Sequence, residues 1–234
     1  GGAGGVMCVR WHPSLGGVVA SAGDDGSVVV HASGAPAASS SWGGHGGEEA
    51  YPERYGRLAV CRGHDLDAMD LAWSPGGELL ACCSLDSRHP VCVWGTDDAT
   101  LRRGAGPPSV PAVLHPCAVL GAGRRGGGSV KGLAWSPCGT VLASSADDHS
   151  YAFHRRPDAF RDTWTECEEL LDGASCAVLP GRDGGGDAPR ASQQGLVRRF
   201  AFHPAGGALA ACHAEVGGRH VAAMLVKGDD GKWG

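Results

Sequence analysis

Asparagine and isoleucine are absent from the 234 residues, and lysine is nearly so: Lys131, Lys227 and Lys232 are three of 20 basic side chains. Without asparagine there is no N-glycosylation acceptor. Residues with AT-rich codons are depleted together, which reads as a GC-rich coding bias in which Val replaces Ile and Arg replaces Lys without changing the fold. The same bias weakens inference from any single one of the 40 glycines. No apolar run approaches the ~20 residues of a membrane span, and no signal peptide opens the chain. The first residue is Gly rather than Met, and a repeat is under way by Val6, so the expectation is a portion of a longer protein. The formal charge of −5 supplies no basic footprint for nucleic acid. The ten cysteines form no CxxC pair and no metal-like spacing. Cys82 and Cys83 are adjacent on an expected strand and face opposite sides. They read as small buried strand residues, and free thiols point to a reducing compartment, nucleus or cytosol.

What is present is a repeat. Residues 130–148 read as two short strands around the turn Ser136-Pro137-Cys138-Gly139, where Pro has no N–H to donate and Gly accepts positive φ. The same unit recurs around Trp11-His12-Pro13, Trp73-Ser74-Pro75 and Phe202-His203-Pro204. The aromatic anchors Trp11, Trp73, Trp135 and Phe202 are 62, 62 and 67 residues apart. The turn acids Asp25, Asp86, Asp148 and Glu215 follow their anchors by 13 or 14 residues. A constant inner spacing with a looser outer one means a fixed hairpin and variable connectors. A propeller blade takes about 40–45 residues, so each unit carries roughly 20 more in loops.

Units are expected near residues 6–32, 58–95, 118–155 and 196–227, forming one all-β domain over 1–234. Connectors are expected at 33–57, 96–111 and 172–195, rich in Gly, Ser, Pro and charge, mobile and dispensable. A short helix is expected around residues 165–171. Each anchor aromatic is expected to be buried on the inner strand of its unit.

Three constellations invite a chemical reading. His64 with Asp86 has the residue types of a catalytic or metal pair, but the repeat explains both positions. Residues 121–126 match GxGxxG after a strand. A dinucleotide site also needs a helix directly after the glycines, whereas residues 129–137 read as a strand and turn. The doublets Arg124-Arg125, Arg155-Arg156 and Arg198-Arg199 read as solvated faces in an acidic chain. No GxSxG, HExxH or Walker loop occurs. The expectation is therefore no enzyme, cofactor or metal. A dinucleotide-dependent enzyme is the remote alternative, and a helix after Gly126 would be its signature.

His64, Cys82, Asp86 and Trp94 resemble the WD-repeat pattern, in which Gly-His precedes an inner strand and a turn Asp and strand-end Trp follow. That resemblance implies a buried relay from Asp through imidazole and a strand hydroxyl to the indole. Here Cys82 stands at the hydroxyl position, and His31 and His154 stand at the Trp position of other units, so the relay is partial. The unit at residues 130–150 further resembles the HIRA-type histone chaperones (histone regulator A), as do residues 8–25, 68–86 and 213–214. The middle subunit of chromatin assembly factor one, or another WD-repeat scaffold, is the alternative.

The resemblance implies a partial WD-repeat β-propeller of about four blades in a nuclear protein of replication-independent nucleosome assembly and transcriptional repression. It implies a docking platform for a ubinuclein-like subunit, with core histones engaged indirectly, no membrane and no sequence-specific nucleic acid. In a propeller, the loops entering inner strands share a face with the loops between second and third strands. Asp24, Asp67, Leu85, Arg88, Ser129, Lys131 and Asp147 fall on that face. They are mixed in sign and not needed by the hairpins, which suits a specific protein contact. Asp24 and Asp147 could instead cap their turns.

Overall fold

The computed structural model describes residues 4–33, 55–96, 110–121, 129–146, 151–158, 163–166, 177–178, 197–216 and 219–226. In chain order the strands are β1 (Val6–Trp11), β2 (Val18–Gly23), β3 (Val28–Ser33), β4 (Tyr55–Cys61), β5 (Ala68–Trp73), β6 (Leu79–Ser84), β7 (Val91–Gly95), β8 (Ala112–Leu114) and β9 (Ala118–Leu120). They continue as β10 (Val130–Trp135), β11 (Val141–Ala146), β12 (Tyr151–Arg155), β13 (Thr165–Glu166), β14 (Ala177–Val178), β15 (Val197–Phe202), β16 (Ala208–Val216) and β17 (Arg219–Val226). No helix occurs among the described residues, so none there is long and apolar enough to cross a membrane.

Each repeat folds because its apolar positions alternate around a tight turn. In β10, Val130, Leu133 and Trp135 are buried while Lys131 and Ala134 are half-buried. The turn after each anchor is closed by a side chain at the next position. Ser74 Oγ accepts from Leu79 N, and Ser136 Oγ accepts from Val141 N, both at 3.0 Å. His12 Nδ1 does comparable work by accepting from Leu15 N at 2.9 Å. Gly77, Gly139 and Gly206 hold φ of 81°, 71° and 77° in these turns, where a Cβ would be strained. A bulge recurs at one place in all four inner strands, just before Cys8, Asp70, Gly132 and Arg199.

Four sheets result, with strand orders β1-β2-β3-β4-β8, β5-β6-β7-β9, β10-β11-β12-β13 and β15-β16-β17-β14. The inner strands β1, β5, β10 and β15 lie against one another in succession. The chain is thus an all-β, four-blade arc of a β-propeller. The outer strands pair differently from the sequence units. β4 completes the first blade rather than opening the second, and β9 completes the second rather than opening the third. β4, β9 and β13 each follow the third strand of their own sheet and pair with it, whereas β14 precedes its sheet in the chain and pairs with β17, contacts that local pattern does not reveal. Thr165–Glu166 form β13, not the start of a helix; residues 167–171 lie outside the described residues. Of the connectors, Ser33 and residues 55–57 belong to β3 and β4, Thr96 is buried, and Ala177–Val178 form β14. Apart from residues 110 and 111, the rest of the connectors lie outside the described residues.

The core sits between blades. One cluster joins blades 1 and 2 through Val28, Val30, Leu71, Leu80, Cys82 and Trp94. A second joins blades 2 and 3 through Ala81, Val91, Val93, Leu133 and Leu142. Trp73 and Trp135 are buried because each lies back on the preceding blade. Their indole N–H groups donate to Arg10 O at 3.2 Å and Ala72 O at 3.1 Å. The expected burial of Trp11 is not met: it is 62% exposed. No preceding blade among the described residues receives its ring, which instead meets Tyr55 edge-on at 6.1 Å. Phe202 is half-buried rather than buried.

One buried carboxylate ties three blades together. Asp70 on β5 accepts from Arg10 on β1 at 2.9 Å, from the Cys8 thiol at 3.2 Å and from Leu133 N on β10 at 3.3 Å. A fully desolvated carboxylate is tolerated only when so satisfied.

Candidate protein-docking face

The turns at one end of the blades are bolted to each other before any partner is considered. In blade 2 the loop between β4 and β5 is fastened to the β6–β7 turn. Leu85 N donates to Asp67 O at 3.2 Å, and Ser84 Oγ donates to Leu66 O at 3.0 Å. Asp86 is buried and accepts from Arg88 N at 2.8 Å, from His89 Nδ1 at 3.0 Å and from Asp65 N at 3.4 Å. Burial raises the Asp86 carboxyl, but Arg88 N, the His89 ring and Asp65 N outweigh it and leave it below the usual range. Blade 1 abuts the same loop. A Cβ on Gly26 would lie 2.9 Å from the carbonyl oxygens of both His64 and Leu66, so only Gly allows this approach.

The relay implied by the WD resemblance is not assembled in blade 2. His64 turns its Nδ1–H toward His89 O at 2.9 Å, and His89, not His64, reaches Asp86. The Cys82 thiol donates to Cys83 O, and Trp94 Nε1–H donates to Arg62 O at 2.9 Å. A thiol is a weak hydrogen-bonding group, so replacing the hydroxyl removes the middle link. His64 stays packed edge-on to Trp94 at 5.7 Å, and burial pulls its imidazole down to about 4. Where the sequence keeps the serine, the hydroxyl meets the strand-end histidine. Ser21 Oγ lies 3.0 Å from His31 Nε2, and Ser144 Oγ lies 3.4 Å from His154 Nε2.

Asp67, Leu85 and Arg88 share the bolted loop pair of blade 2. Asp24 is exposed in the β2–β3 turn beside Asp25, whose carboxylate accepts from Ser27 N at 2.9 Å. Ser129 precedes β10, and Lys131 lies half-buried within it. Asp147 and Asp148 lie outside the described residues, as do residues 122–128 of the glycine-rich stretch. After that stretch comes the strand β10, not the helix a dinucleotide site requires. Asp65, Asp86 and His89 bring ligand atoms within 4.8 Å of one another. The Asp86 carboxylate is already committed to two backbone donors and the imidazole, so the cluster reads as a turn cap.

Sequence reasoning missed two features. Leu66, 51% exposed, sits among the face carboxylates with no periodic signal to mark it. A cavity of about 570 Å³ opens at the rim between blades 2 and 3, lined by Leu79, Ala118, Val119, Arg156 and Trp164 among others. Its residues come from β6, β9 and the segments after β12 and before β13, so no local motif announces it.

Residues 1–31, 56–88 and 119–151 match the WD40 family, described as WD domain, G-beta repeat. The chain is similar to Protein HIR1 of Cryptococcus neoformans var. neoformans serotype D, 27% identical over 222 residues, covering 95% of this chain and 20% of the relative. Protein HIRA of Homo sapiens is 38% identical over 89 residues, covering 38% of this chain and 8% of the relative. The chain therefore spans a fifth or less of the length of these curated relatives. Among solved structures, Sqt1 of Chaetomium thermophilum aligns with a TM-score of 0.56 at 17% identity, over 97% of this chain and 45% of that one. The same protein solved bound to the N-terminus of a ribosomal protein aligns with a TM-score of 0.57, over 48% of its length. At such identity the likeness concerns the fold alone.

Proposed function

From a chain that carries WD40 repeats on an all-β propeller arc, we propose a protein-docking scaffold of a HIRA-like histone chaperone complex. The intact protein then acts in the nucleus, in replication-independent nucleosome assembly and transcriptional repression. The turn face of blades 1 to 3 receives a ubinuclein-like segment, and core histones are engaged through that complex rather than by this chain directly. The observation that carries the family reading is the HIR1 similarity, which runs along 95% of the chain rather than through one repeat. What supports a docking role is rigidity. Asp67, Leu85 and Arg88 are held by backbone and side-chain bonds that need no partner, so little ordering entropy opposes binding.

The reading assigns no chemistry to this chain. The strand β10 after the glycines removes the feature on which a dinucleotide enzyme would depend. A WD scaffold in another assembly is separated from the leading reading by co-purification. The intact tagged protein should bring down a ubinuclein-type subunit together with histones from nuclear extract. Recovery of neither, with a different stable set of partners, would contradict the chaperone assignment.

A further inference from the structure

We propose that the rim groove between blades 2 and 3 is a second docking site, which takes an extended, uncharged, small-aliphatic segment of a partner protein as a fifth strand on β9. The inference rests on the docking-scaffold reading and adds a surface away from the turn face. Blade 1 shows what such an edge accepts. Its outer strand β4 carries β8, the tripeptide Ala112-Val113-Leu114, as an added parallel strand in register with Ala59, Val60 and Cys61. Arg62 N donates to Leu114 O at 2.8 Å, and Ala112 and Leu114 pack onto the core of that blade. Blade 2 ends at β9, which pairs with β7 on one side and with no other strand among the described residues. An unpaired edge is a template for strand addition.

Beside that edge lies the 570 Å³ cavity, within the range that holds a small ligand or a few side chains. It continues the packing between the two blades. Leu79, Ala118 and Trp164 flank that core, and the Trp164 ring lies 5.8 Å from Trp135. Val119 is 40% exposed at the edge. The charge on the lining is neutralised internally, because Arg156 is paired with Glu78. A charged segment would gain no free counter-charge there, whereas an uncharged aliphatic one fills apolar surface and supplies backbone bonds.

The probe is a fluorescein-labelled synthetic peptide with the sequence of residues 110–115, blocked at both ends and titrated into the intact protein by anisotropy. Saturable binding is expected. It should weaken about tenfold or more with Val119→Lys, with Trp164→Ala and with Asp in place of the peptide's second Val, the counterpart of Val113. Val119→Lys should leave the melting temperature unchanged, and Val113→Lys on the filled edge of blade 1 should leave binding unchanged. The proposal is overturned by absence of saturable binding, by indifference to Val119→Lys, or by loss through Val113→Lys, which would mean exchange with β8. It is also overturned if the β9 amides that face away from β7 are protected from hydrogen exchange in the free protein, which assigns the groove to a segment of this chain. Protein self-association that Val119→Lys abolishes assigns the groove to a second copy and overturns it equally. Capture of a ubinuclein-type subunit is scored in parallel. Capture without peptide binding sinks the groove alone, and peptide binding without capture sinks the chaperone reading alone.

Discussion

Trp135 reaches back one blade and donates its indole N–H to Ala72 O, 3.1 Å away. Trp73 makes the same bond to Arg10 O at 3.2 Å. Trp73 and Trp135 are therefore clasps between blades as well as core residues within them. Trp135→Ala should cost about 3–5 kcal/mol, the range for a large buried aromatic. Trp11→Ala, at a ring 62% exposed, should cost under about 1 kcal/mol. Urea denaturation of both variants checks the asymmetry; equal losses would refute the clasp.

Asp70 and Arg10 should likewise be unequal. Asp70→Ala strands the amide of Leu133 and the Cys8 thiol along with the guanidinium, so a loss of about 2–3 kcal/mol is expected. Arg10 is 45% exposed at its side chain, and Arg10→Ala should cost no more than about 1 kcal/mol. Differential scanning fluorimetry of both variants tests this. A larger effect from Arg10 would mean that the ion pair, not backbone satisfaction, holds the carboxylate.

His64 makes stability depend on pH. Burial lowers its imidazole from an ordinary value of 6.5 to about 4. In the unfolded chain the ring binds a proton below 6.5, while the folded ring resists until about 4. The stability from His64 is thus fully present above 6.5 and is lost as pH falls from there through about 4. His64→Gln should flatten the denaturation midpoint across that window. An unchanged slope would show that the imidazole is solvated.

The thiols should separate by reactivity. Partial burial raises Cys138, but the Ser136 and Thr140 hydroxyls outweigh it and hold the thiol below its ordinary value. Burial pushes Cys61 and Cys92 up to about 12, and Cys82 well above its ordinary value. Among these four, iodoacetamide at neutral pH should label Cys138 first and the others only on unfolding. Mass spectrometry of the labelled peptides decides. Early labelling of Cys82 or Cys92 would contradict the core assignment.

The hairpins were legible in the sequence because their causes are local. Ser74 and Ser136 close the turns from beside the anchor, and Gly77 and Gly139 supply the positive φ. Even the exchange of serine for His12 makes sense, since its ring accepts from amides inside the turn, those of Ser14 and Leu15. What was not legible depends on partners distant in the chain. The exposure of Trp11 follows from the lack of a preceding blade among the described residues, not from its own repeat. β8 is three apolar residues after a proline, too short for any period, and forms only because β4 offers an edge. The blade 2 relay failed at Cys82, a substitution visible in sequence whose consequence, the turn of His64 toward His89, needed the geometry.

The turn face, rather than the opposite end of the blades, should recognise the partner. The most direct measurement is the affinity of a purified ubinuclein-type segment for the intact protein by isothermal titration. Wild type is compared with Asp67→Arg and Lys131→Glu on the face, and with Thr140→Arg in the opposite turn. Each face variant should weaken binding about tenfold or more, with Thr140→Arg unchanged. Undiminished binding by both face variants, or a loss confined to Thr140→Arg, would contradict recognition by the turn face.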